Sequence, residues 1–387
     1  MILQTNIIMK PICIMALLFS LLSIGNAFAK NPKEELKEQL TAHFSSVFHA
    51  DEPGAAVVLV KDGKKVYEQC FGWADIDTKA PVTANTNFCI ASVSKQFSAV
   101  AILQLAEQGK LSLNDPLTKF FPEFKAPFFR DITLHHILSH TSGIPDARPR
   151  SNREFVLNAT DINSVAYMDT RSYLNFRPGD GHYEYINPTY QLCYQIVEKA
   201  SGMPFETYMK KNVFLPAGMK QTQYFEDGRM MPNAAHGYAF DAANGEWKEY
   251  DFGEESFFAT KADGGIYTSI NEFIKWESAL RFNAVLKPLS RTKAYTPKVQ
   301  IPADAEYGYQ PNTSYGYGFF IQKTPGRHDI IYHTGDNGGF TIYAGKVPTT
   351  DMILLVFSTH SFKRKEVVNQ AYSIIESVCP DWLCPGK

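Results

Sequence analysis

The first 29 residues have the polarity pattern of an export signal. A short segment with one cation, Lys10, precedes an apolar run over residues 11–25, and Ala27-Phe28-Ala29 supplies the small residues that signal peptidases recognise. The run is shorter than the ~20 apolar residues that a membrane-spanning helix requires. We therefore predict a signal peptide over residues 1–29, cleavage before Lys30, no stable membrane anchor, and a periplasmic or secreted protein.

Apolar periodicity in the next part of the chain predicts two helices and a hairpin. Residues 33–48 and 92–109 carry apolar side chains at helical spacing. Residues 55–60 and 65–73 are strand-like segments on either side of Lys61-Asp62-Gly63-Lys64, and Asp-Gly is a frequent hairpin turn. The order predicted from this pattern is helix, hairpin, helix.

The rest of the chain has an irregular middle and a regular C-terminal part. Residues from about 110 to 260 are rich in Pro and aromatics and show only short helical patterns. After Gly264-Gly265 the pattern predicts an amphipathic helix, four strands and a closing helix, at residues 271–280, 316–323, 329–334, 339–346, 352–359 and 363–378.

These elements predict a mixed α/β fold of the α+β type. Strands at both chain ends with helices between them indicate one antiparallel sheet assembled from both termini, flanked by helices, with a helical lobe inserted. We expect one domain over residues 30–387, with an α/β lobe at about 30–90 and 260–387 and a helical lobe at about 91–259.

Charge and composition exclude several classes of protein. Hydrophobic residues make up 44% of the chain and charged residues 20%, which is typical of globular enzymes and not of disordered or fibrous chains. The 38 Lys and Arg residues against 40 Asp and Glu give a formal net charge of -2, so no cationic surplus is available for a phosphate backbone. We expect a small-molecule or peptide substrate and no nucleic-acid partner; the oligomeric state is left open.

Five of the six cysteines remain after the predicted cleavage, in a compartment that favours disulfides. Cys379 and Cys384 flank a four-residue segment and are near enough in sequence to close a small loop. Cys70, Cys89 and Cys193 lie among apolar residues, as buried thiols often do. The pairing stays open, and no cysteine has the spacing of a metal site.

Ser92-Val93-Ser94-Lys95 opens the helix predicted over residues 92–109. Residues three apart share a helix face, so the Ser92 hydroxyl and the Lys95 amine are near each other. A serine becomes a nucleophile when a base takes its proton, and a lysine serves as that base where its surroundings lower its pKa from ~10.4. The helix N-terminus adds N–H groups that stabilise an oxyanion. Alone, the four-residue motif is common.

Two further motifs follow in the chain. In Tyr185-Ile186-Asn187, the phenol can relay a proton beside a cation, and the amide can bind a substrate amide. In His333-Thr334-Gly335, the glycine at the end of an apolar strand allows a substrate backbone to lie against the strand. Each motif alone also fits an ordinary loop or turn.

Together, the three motifs and their order resemble the serine β-lactamase and penicillin-binding family, whose S-x-x-K signature is well known. The similar branch contains class C β-lactamases, D-alanyl-D-alanine carboxypeptidases, D-aminopeptidases and related esterases. The resemblance covers nearly all of the mature chain. It also includes ITLHHILSHTSGIPD at 132–146, NVFLPAGMKQT at 212–222, AHGY at 235–238 and GGIYTS at 264–269.

The resemblance implies catalytic roles for Ser92, Lys95 and Tyr185. Ser92 would be the acylated nucleophile, while Lys95 and Tyr185 would take its proton and pass it to the leaving group. The backbone N–H groups of Ser92 and Asp336 would form the oxyanion hole. The resemblance implies neither a cofactor nor a metal.

The same resemblance implies that Asn187, His333, Thr334 and Gly335 bind substrate. Two of the residues in this region depart from class C β-lactamases. His333 stands where those enzymes have a lysine, and a histidine is mostly neutral at pH 7. Asp336 adds a carboxyl side chain beside it. Both changes disfavour a substrate carboxylate and favour esters or uncharged amides, unless an Arg or Lys elsewhere in the chain supplies the missing positive charge.

The predicted function is an exported serine hydrolase that forms an acyl-enzyme on Ser92 and cleaves an amide or ester of the D-amino-acid peptide or carboxylic ester type. One alternative is a class C-type β-lactamase. Another, from a different class, is a binding or sensor module that is acylated without turnover. His136 and His140 have a spacing that could chelate a metal on a helix, but they lie within a segment that resembles the family, and we predict no metal site.

Overall fold

A computed structural model describes residues 31–225, 231–250, 260–303 and 310–386. The predicted signal peptide, residues 1–29, lies outside the described residues. Within the described ranges, no helix has both the length and the apolar character needed to cross a membrane.

Short helices fill the middle of the chain, and longer ones lie at both ends and at the centre. The helices in the described residues are α1 (Pro32–Ser45), α2 (Lys95–Glu107), α3 (Leu117–Phe120), α4 (Leu134–Leu138), α5 (Arg153–Asn158), α6 (Asp161–Val165), α7 (Asn187–Ser201), α8 (Phe205–Met209), α9 (Ile270–Arg281), α10 (Pro288–Tyr295) and α11 (Arg364–Val378). A 3₁₀ turn over Ala91–Ser94 directly precedes α2.

The strands cluster near the two chain ends. They are β1 (Ala55–Lys61), β2 (Lys64–Phe71), β3 (Trp73–Asp75), β4 (Ala80–Pro81), β5 (Phe88–Cys89), β6 (Gln223–Tyr224), β7 (Tyr238–Asp241), β8 (Glu246–Glu249), β9 (Ile266–Thr268), β10 (Val299–Gln300), β11 (Thr313–Tyr315), β12 (Phe320–Gln322), β13 (Ile330–Asn337), β14 (Phe340–Val347) and β15 (Met352–Ser358).

The main sheet combines the two chain ends, as the sequence predicts. Its eight strands run in the order β10-β11-β12-β13-β14-β15-β1-β2, and every neighbouring pair is antiparallel. Strand β1 therefore lies inside the sheet, with β15 on one side and its hairpin partner β2 on the other. The predicted antiparallel sheet from both termini, flanked by helices, is confirmed. The boundaries of the domain and its two lobes stay a prediction.

Both faces of the sheet are covered, which explains why β1 is apolar at every central position. Val57 and Leu59 belong to a core with residues of α1 and α11. Val58 and Val60 belong to a second core with residues of α2 and α9. A strand buried on two faces has no polar face to present, so its apolar residues run without interruption.

Among the boundaries that differ from the sequence pattern, three have a clear cause in the backbone. Helix α2 begins at Lys95, because the turn that carries Ser92 is 3₁₀. Strand β2 ends at Phe71, because Gly72 takes a positive φ of 57°. Helix α4 ends at Leu138, and His140 has a φ of 57°, so His136 and His140 do not share a helix face.

The described cysteines are present as thiols. Cys379 and Cys384 do not close the small loop that their spacing allowed, and the Cys384 thiol donates to Glu376 Oε1 at 3.0 Å. Burial raises the pKa of Cys70 to about 11. This keeps its sulfur in the unreactive thiol form at neutral pH.

Trp276 on α9 joins the second core to the helix that follows Ser92. Its ring is fully buried and stacks on Phe97 of α2, with 4.1 Å between ring centroids. Its indole N–H donates to Gln96 Oε1 at 3.2 Å. The stacking and the hydrogen bond together fix α2 against α9.

Replacing Trp276 by Ala should therefore lower the free energy of unfolding by about 3–5 kcal/mol, because a large buried ring leaves a cavity. Equilibrium urea unfolding followed by circular dichroism measures the change. Phe282→Ala, which removes a ring that is 69% exposed one residue beyond the same helix, should change it by less than about 0.5 kcal/mol. Similar losses for both variants would contradict the proposed contact.

Candidate active site

Ser92 and Lys95 form a hydrogen-bonded pair at the start of α2. The distance between Lys95 Nζ and Ser92 Oγ is 2.9 Å. The pair spans the junction of the 3₁₀ turn and the α-helix, where the first turn of α2 points its amine back toward the serine. An amine at this distance can take the hydroxyl proton as the oxygen attacks.

The turn that carries Ser92 is held in a strained backbone conformation. Ala91, the residue before it, has a φ of 45°, in the left-handed region that non-glycine residues rarely adopt. The Ile90 N–H donates to Ile266 O at 2.9 Å, and the Ile266 N–H donates to Ser94 Oγ at 3.3 Å. Strand β9 therefore fixes the turn on both sides of the serine.

Gly335 explains why the third motif needs a residue without a side chain. A Cβ at this position would lie 2.3 Å from Ile90 O and 3.1 Å from the Cβ of Ala91. Strand β13 thus passes directly against the backbone that leads to Ser92. The close approach places Asp336, the next residue, beside the nucleophile turn.

Lys95 is completely buried, and its amine has two hydrogen-bond acceptors. Besides Ser92, Nζ contacts Asp263 O at 2.9 Å. Nζ also lies 5.0 Å from the centre of the Tyr185 ring. Burial lowers the pKa of Lys95 to about 8, although the Asp263 carboxylate acts in the opposite direction. The neutral amine is therefore far more accessible near physiological pH than it is for an exposed lysine.

Tyr185 is held by a histidine that the sequence pattern treats as structural. The rings of His140 and Tyr185 lie 4.3 Å apart, and His140 Nδ1 accepts from the Ile186 N–H at 3.2 Å. Since Nδ1 accepts, the ring proton is on Nε2, which is buried without a hydrogen-bond partner among the described residues. Burial, with Lys95 and His333 nearby, holds the pKa of His140 well below its usual value. His140 is thus a neutral support for Tyr185.

Asn187 occupies the first position of α7 and lines the same cavity as Ser92. Its side-chain Oδ1 is buried and has no hydrogen-bond partner among the described residues. A buried acceptor without a donor costs free energy unless a ligand supplies one. The carboxamide is therefore suited to bind a substrate N–H.

His333 does not supply a cation at the third motif. Its ring is buried, Nδ1 lies 2.7 Å from Thr334 O, and Nε2 lies 3.0 Å from the Tyr315 hydroxyl. A carbonyl can only accept, so Nδ1 carries the proton and Nε2 accepts from Tyr315. Burial, together with the charge of Lys95, lowers the pKa of His333 to about 3. The ring is neutral, in agreement with its expected state at pH 7.

Asp336 is paired with an arginine from the last helix. Arg364 Nη1 lies 2.7 Å from both carboxylate oxygens of Asp336 and also donates to Gly335 O at 3.3 Å. Thr341 Oγ1 donates to the same carboxylate at 3.2 Å. The ion pair joins the end of β13 to the start of α11 beside the nucleophile.

The motifs meet at one cavity of about 200 Å³. Its walls include most of the residues singled out from the sequence, namely Ser92, Tyr185, Asn187, His333, Thr334 and Asp336. Lys95 lies behind Ser92, and Gly335 packs against Ile90. The three motifs, far apart in the chain, thus come together as the family resemblance implies.

The structure adds three wall residues that sequence reasoning did not identify, Arg150, Phe320 and Arg364. No spacing in the sequence links Arg364 to the third motif, since it lies 28 positions after Asp336. Among the described residues, no group of His, Cys, Asp or Glu side chains is arranged to hold a metal ion.

Comparisons with known proteins agree with this geometry. A family profile for β-lactamases matches residues 38–378. Penicillin-binding protein 4* of Bacillus subtilis is 26% identical over 323 residues, which cover 80% of this chain and 68% of that protein. Across three of the curated relatives, the aligned region spans 56% to 74% of their own lengths.

Solved structures show the same fold. The octameric penicillin-binding protein homologue from Pyrococcus abyssi has a TM-score of 0.73 at 26% identity, over 92% of this chain and 78% of that one. The D-amino acid amidase from Ochrobactrum anthropi SV3 has a TM-score of 0.71 at 22% identity, over 89% of this chain and 99% of that one, which shows a likeness of fold. With the fold, the profile match and the Ser92–Lys95 pair in agreement, the chain belongs to the β-lactamase family of serine hydrolases.

Proposed function

We propose that this protein is an exported serine hydrolase that forms an acyl-enzyme on Ser92 and cleaves an amide or ester of the D-amino-acid peptide or carboxylic ester type. The observation that carries the proposal is the 2.9 Å contact between the Ser92 hydroxyl and a fully buried lysine amine. The apolar run over residues 11–25 and the Ala27-Phe28-Ala29 sequence support export to the periplasm or the medium.

In the acylation step, Ser92 Oγ attacks the substrate carbonyl carbon as its proton passes to the neutral Lys95 amine. The carbonyl oxygen gains the negative charge, which the backbone N–H groups of Ser92 and Asp336 would stabilise. The proton then passes through Tyr185, whose ring lies against the Lys95 amine, to the leaving nitrogen or oxygen. The carbon–heteroatom bond breaks, and an ester on Ser92 remains.

Water completes the cycle by hydrolysing that ester. The products are the free acid and the regenerated Ser92 hydroxyl, so no other reactant is consumed. During both steps, Asn187 would hold the substrate amide through its buried Oδ1, for which the described part of the chain supplies no donor. His333, Thr334 and Gly335 would shape the wall along which the substrate lies.

Reaction with an active-site-directed fluorophosphonate tests the nucleophile. Intact-mass analysis should show one adduct on the wild-type protein and none on Ser92→Ala, since the alanine has no oxygen to phosphonylate. Ser94→Ala is a matched control, because Ser94 lies in the same turn and its hydroxyl accepts from Ile266 N–H. Its adduct should persist. An adduct that survives in Ser92→Ala would refute the assignment.

The pH dependence of kcat/KM tests the base. The folded pKa of Lys95, about 8, lies below its ordinary value, so the amine holds its proton below that pH and can accept one above it. With an uncharged p-nitrophenyl ester, kcat/KM should therefore increase with pH and reach half of its plateau value near pH 8. A profile that stays flat between about pH 6 and about pH 9 would contradict the role of Lys95.

A substrate panel separates the remaining alternatives. Because His333 is neutral and the charge of Arg364 in the cavity wall is already paired with Asp336, p-nitrophenyl esters and D-amino acid amides should react faster than nitrocefin or a peptide ending in D-Ala-D-Ala. Steady-state rates on each compound measure the order. Fastest turnover of nitrocefin would favour a class C-type β-lactamase, and one acylation without turnover on any compound would favour a sensor.

A further inference from the structure

A second buried group of polar residues lies behind Lys95, on the side away from the substrate cavity. It contains the carboxyl groups of Asp161 and Asp263, which are only 2% and 5% exposed. Charged groups are seldom this buried unless they are paired or functional. None of the family motifs identified from the sequence includes either aspartate.

Residues 261–266 connect this group to the nucleophile helix. Lys95 Nζ donates to Asp263 O at 2.9 Å, and Ser98, one turn further along α2, donates from Oγ to Ala262 O at 2.5 Å. On the other side, Asp161 accepts from the N–H groups of Lys261 at 2.6 Å and Ala262 at 3.0 Å. The 261–263 backbone is thus fixed from both sides.

The two carboxyl groups have different hydrogen-bond partners. Burial, reinforced by Asp263, raises the pKa of Asp161 to about 8, whereas the N–H groups of Lys261 and Ala262 act in the opposite direction. Asp263 Oδ2 accepts from Gln191 Nε2 at 3.2 Å, whereas its Oδ1 is buried without a hydrogen-bond partner among the described residues. Asp263 Oδ1 is therefore a buried acceptor that none of the described residues satisfies.

We propose that Asp263 is a positioning residue for Lys95: its carbonyl oxygen orients the amine toward Ser92, and its buried carboxylate stabilises the ammonium that forms when Lys95 takes the serine proton. The inference rests on the proposed function, in which Lys95 is the base. A neutral amine has two hydrogens and one lone pair. With one hydrogen held by Asp263 O, its lone pair can point to Ser92 Oγ.

The charge of Asp263 offsets part of the cost of burying Lys95. Proton transfer from Ser92 Oγ to Lys95 Nζ creates an ammonium without exposure to water, which is unfavourable unless a negative group is near. Other titratable or charged groups that act on or contact this pair are Arg148, Tyr185, Tyr190, His140, His333, Asp161 and Cys193. Among these neighbours, Arg148 lowers the pKa of Lys95 and so disfavours the ammonium, whereas Asp263 itself raises that pKa.

The rate of Ser92 phosphonylation by a fluorophosphonate, measured from about pH 6 to about pH 10, tests the proposal without a natural substrate. Asp263→Asn keeps the backbone carbonyl and an acceptor for Gln191 but removes the charge. We expect the midpoint of the rate profile to fall by about one pH unit and the plateau rate to fall by up to about tenfold. If the asparagine variant does not fold, Asp263→Ser serves in its place. It also removes the charge, so the midpoint should again fall.

Glu277→Gln is the matched control. Glu277 is another buried carboxylate, and its partner is Lys346, at 2.6 Å. Lys346 lies near the end of β14, whereas Thr341, which pairs with Asp336 at the site, lies near the start of that strand. Its replacement should lower stability without moving the midpoint. A lower plateau with an unchanged midpoint in Asp263→Asn would show a purely structural role and overturn the inference. Absence of labelling in the wild-type protein would instead refute the proposed function.

Discussion

The structure depends on keeping a lysine amine out of water and next to a hydroxyl. Burying the charged form of Lys95 costs free energy. Burial lowers the pKa of the amine to about 8, so the neutral form, which costs less to bury, is accessible near physiological pH. The same burial acts on the neighbouring histidines, since both His140 and His333 are held neutral. The two histidine rings near the amine are therefore neutral, and the backbone carbonyl of Asp263 accepts from the amine on the side away from the substrate cavity.

Backbone geometry supports this arrangement at two points where side chains would interfere. Ala91 adopts a left-handed conformation so that the serine turn can enter α2, and such strain persists only where surrounding contacts determine it. One contact comes from β9, where Ile266 O accepts from the Ile90 N–H. The other comes from β13, where Gly335, having no Cβ, packs directly against the Ile90 carbonyl. The nucleophile is thus held by the sheet as well as by its own helix, which makes the site more rigid than a loop would be.

Much of the fold can be predicted from the sequence because its strongest signals are local. The hairpin around Asp62-Gly63, the amphipathic α9 and the closing helix α11 follow from periodicity and turn residues. The serine and lysine also follow, because two residues three positions apart in the chain are a local relation. Asp263 and Arg364 could not be found this way, since their partners lie 168 and 28 positions away in the chain and only tertiary packing brings them together. His140 shows the opposite case, in which a local pattern misleads. Its spacing from His136 suggested that both lie on one helix face. Helix α4 ends before His140, however, and the His140 ring packs against Tyr185.

The position of β1 inside the sheet has a consequence for how the chain acquires its structure. Thr359, at the end of the last strand, donates to Gly54 across a separation of 305 positions. Contacts of such high sequence separation form slowly, because loop closure costs entropy before the contact is gained. The β15–β1 pair therefore forms only after the C-terminal strands have been synthesised. A nascent or truncated chain that lacks β15 leaves one edge of β1 unpaired and exposed to self-association.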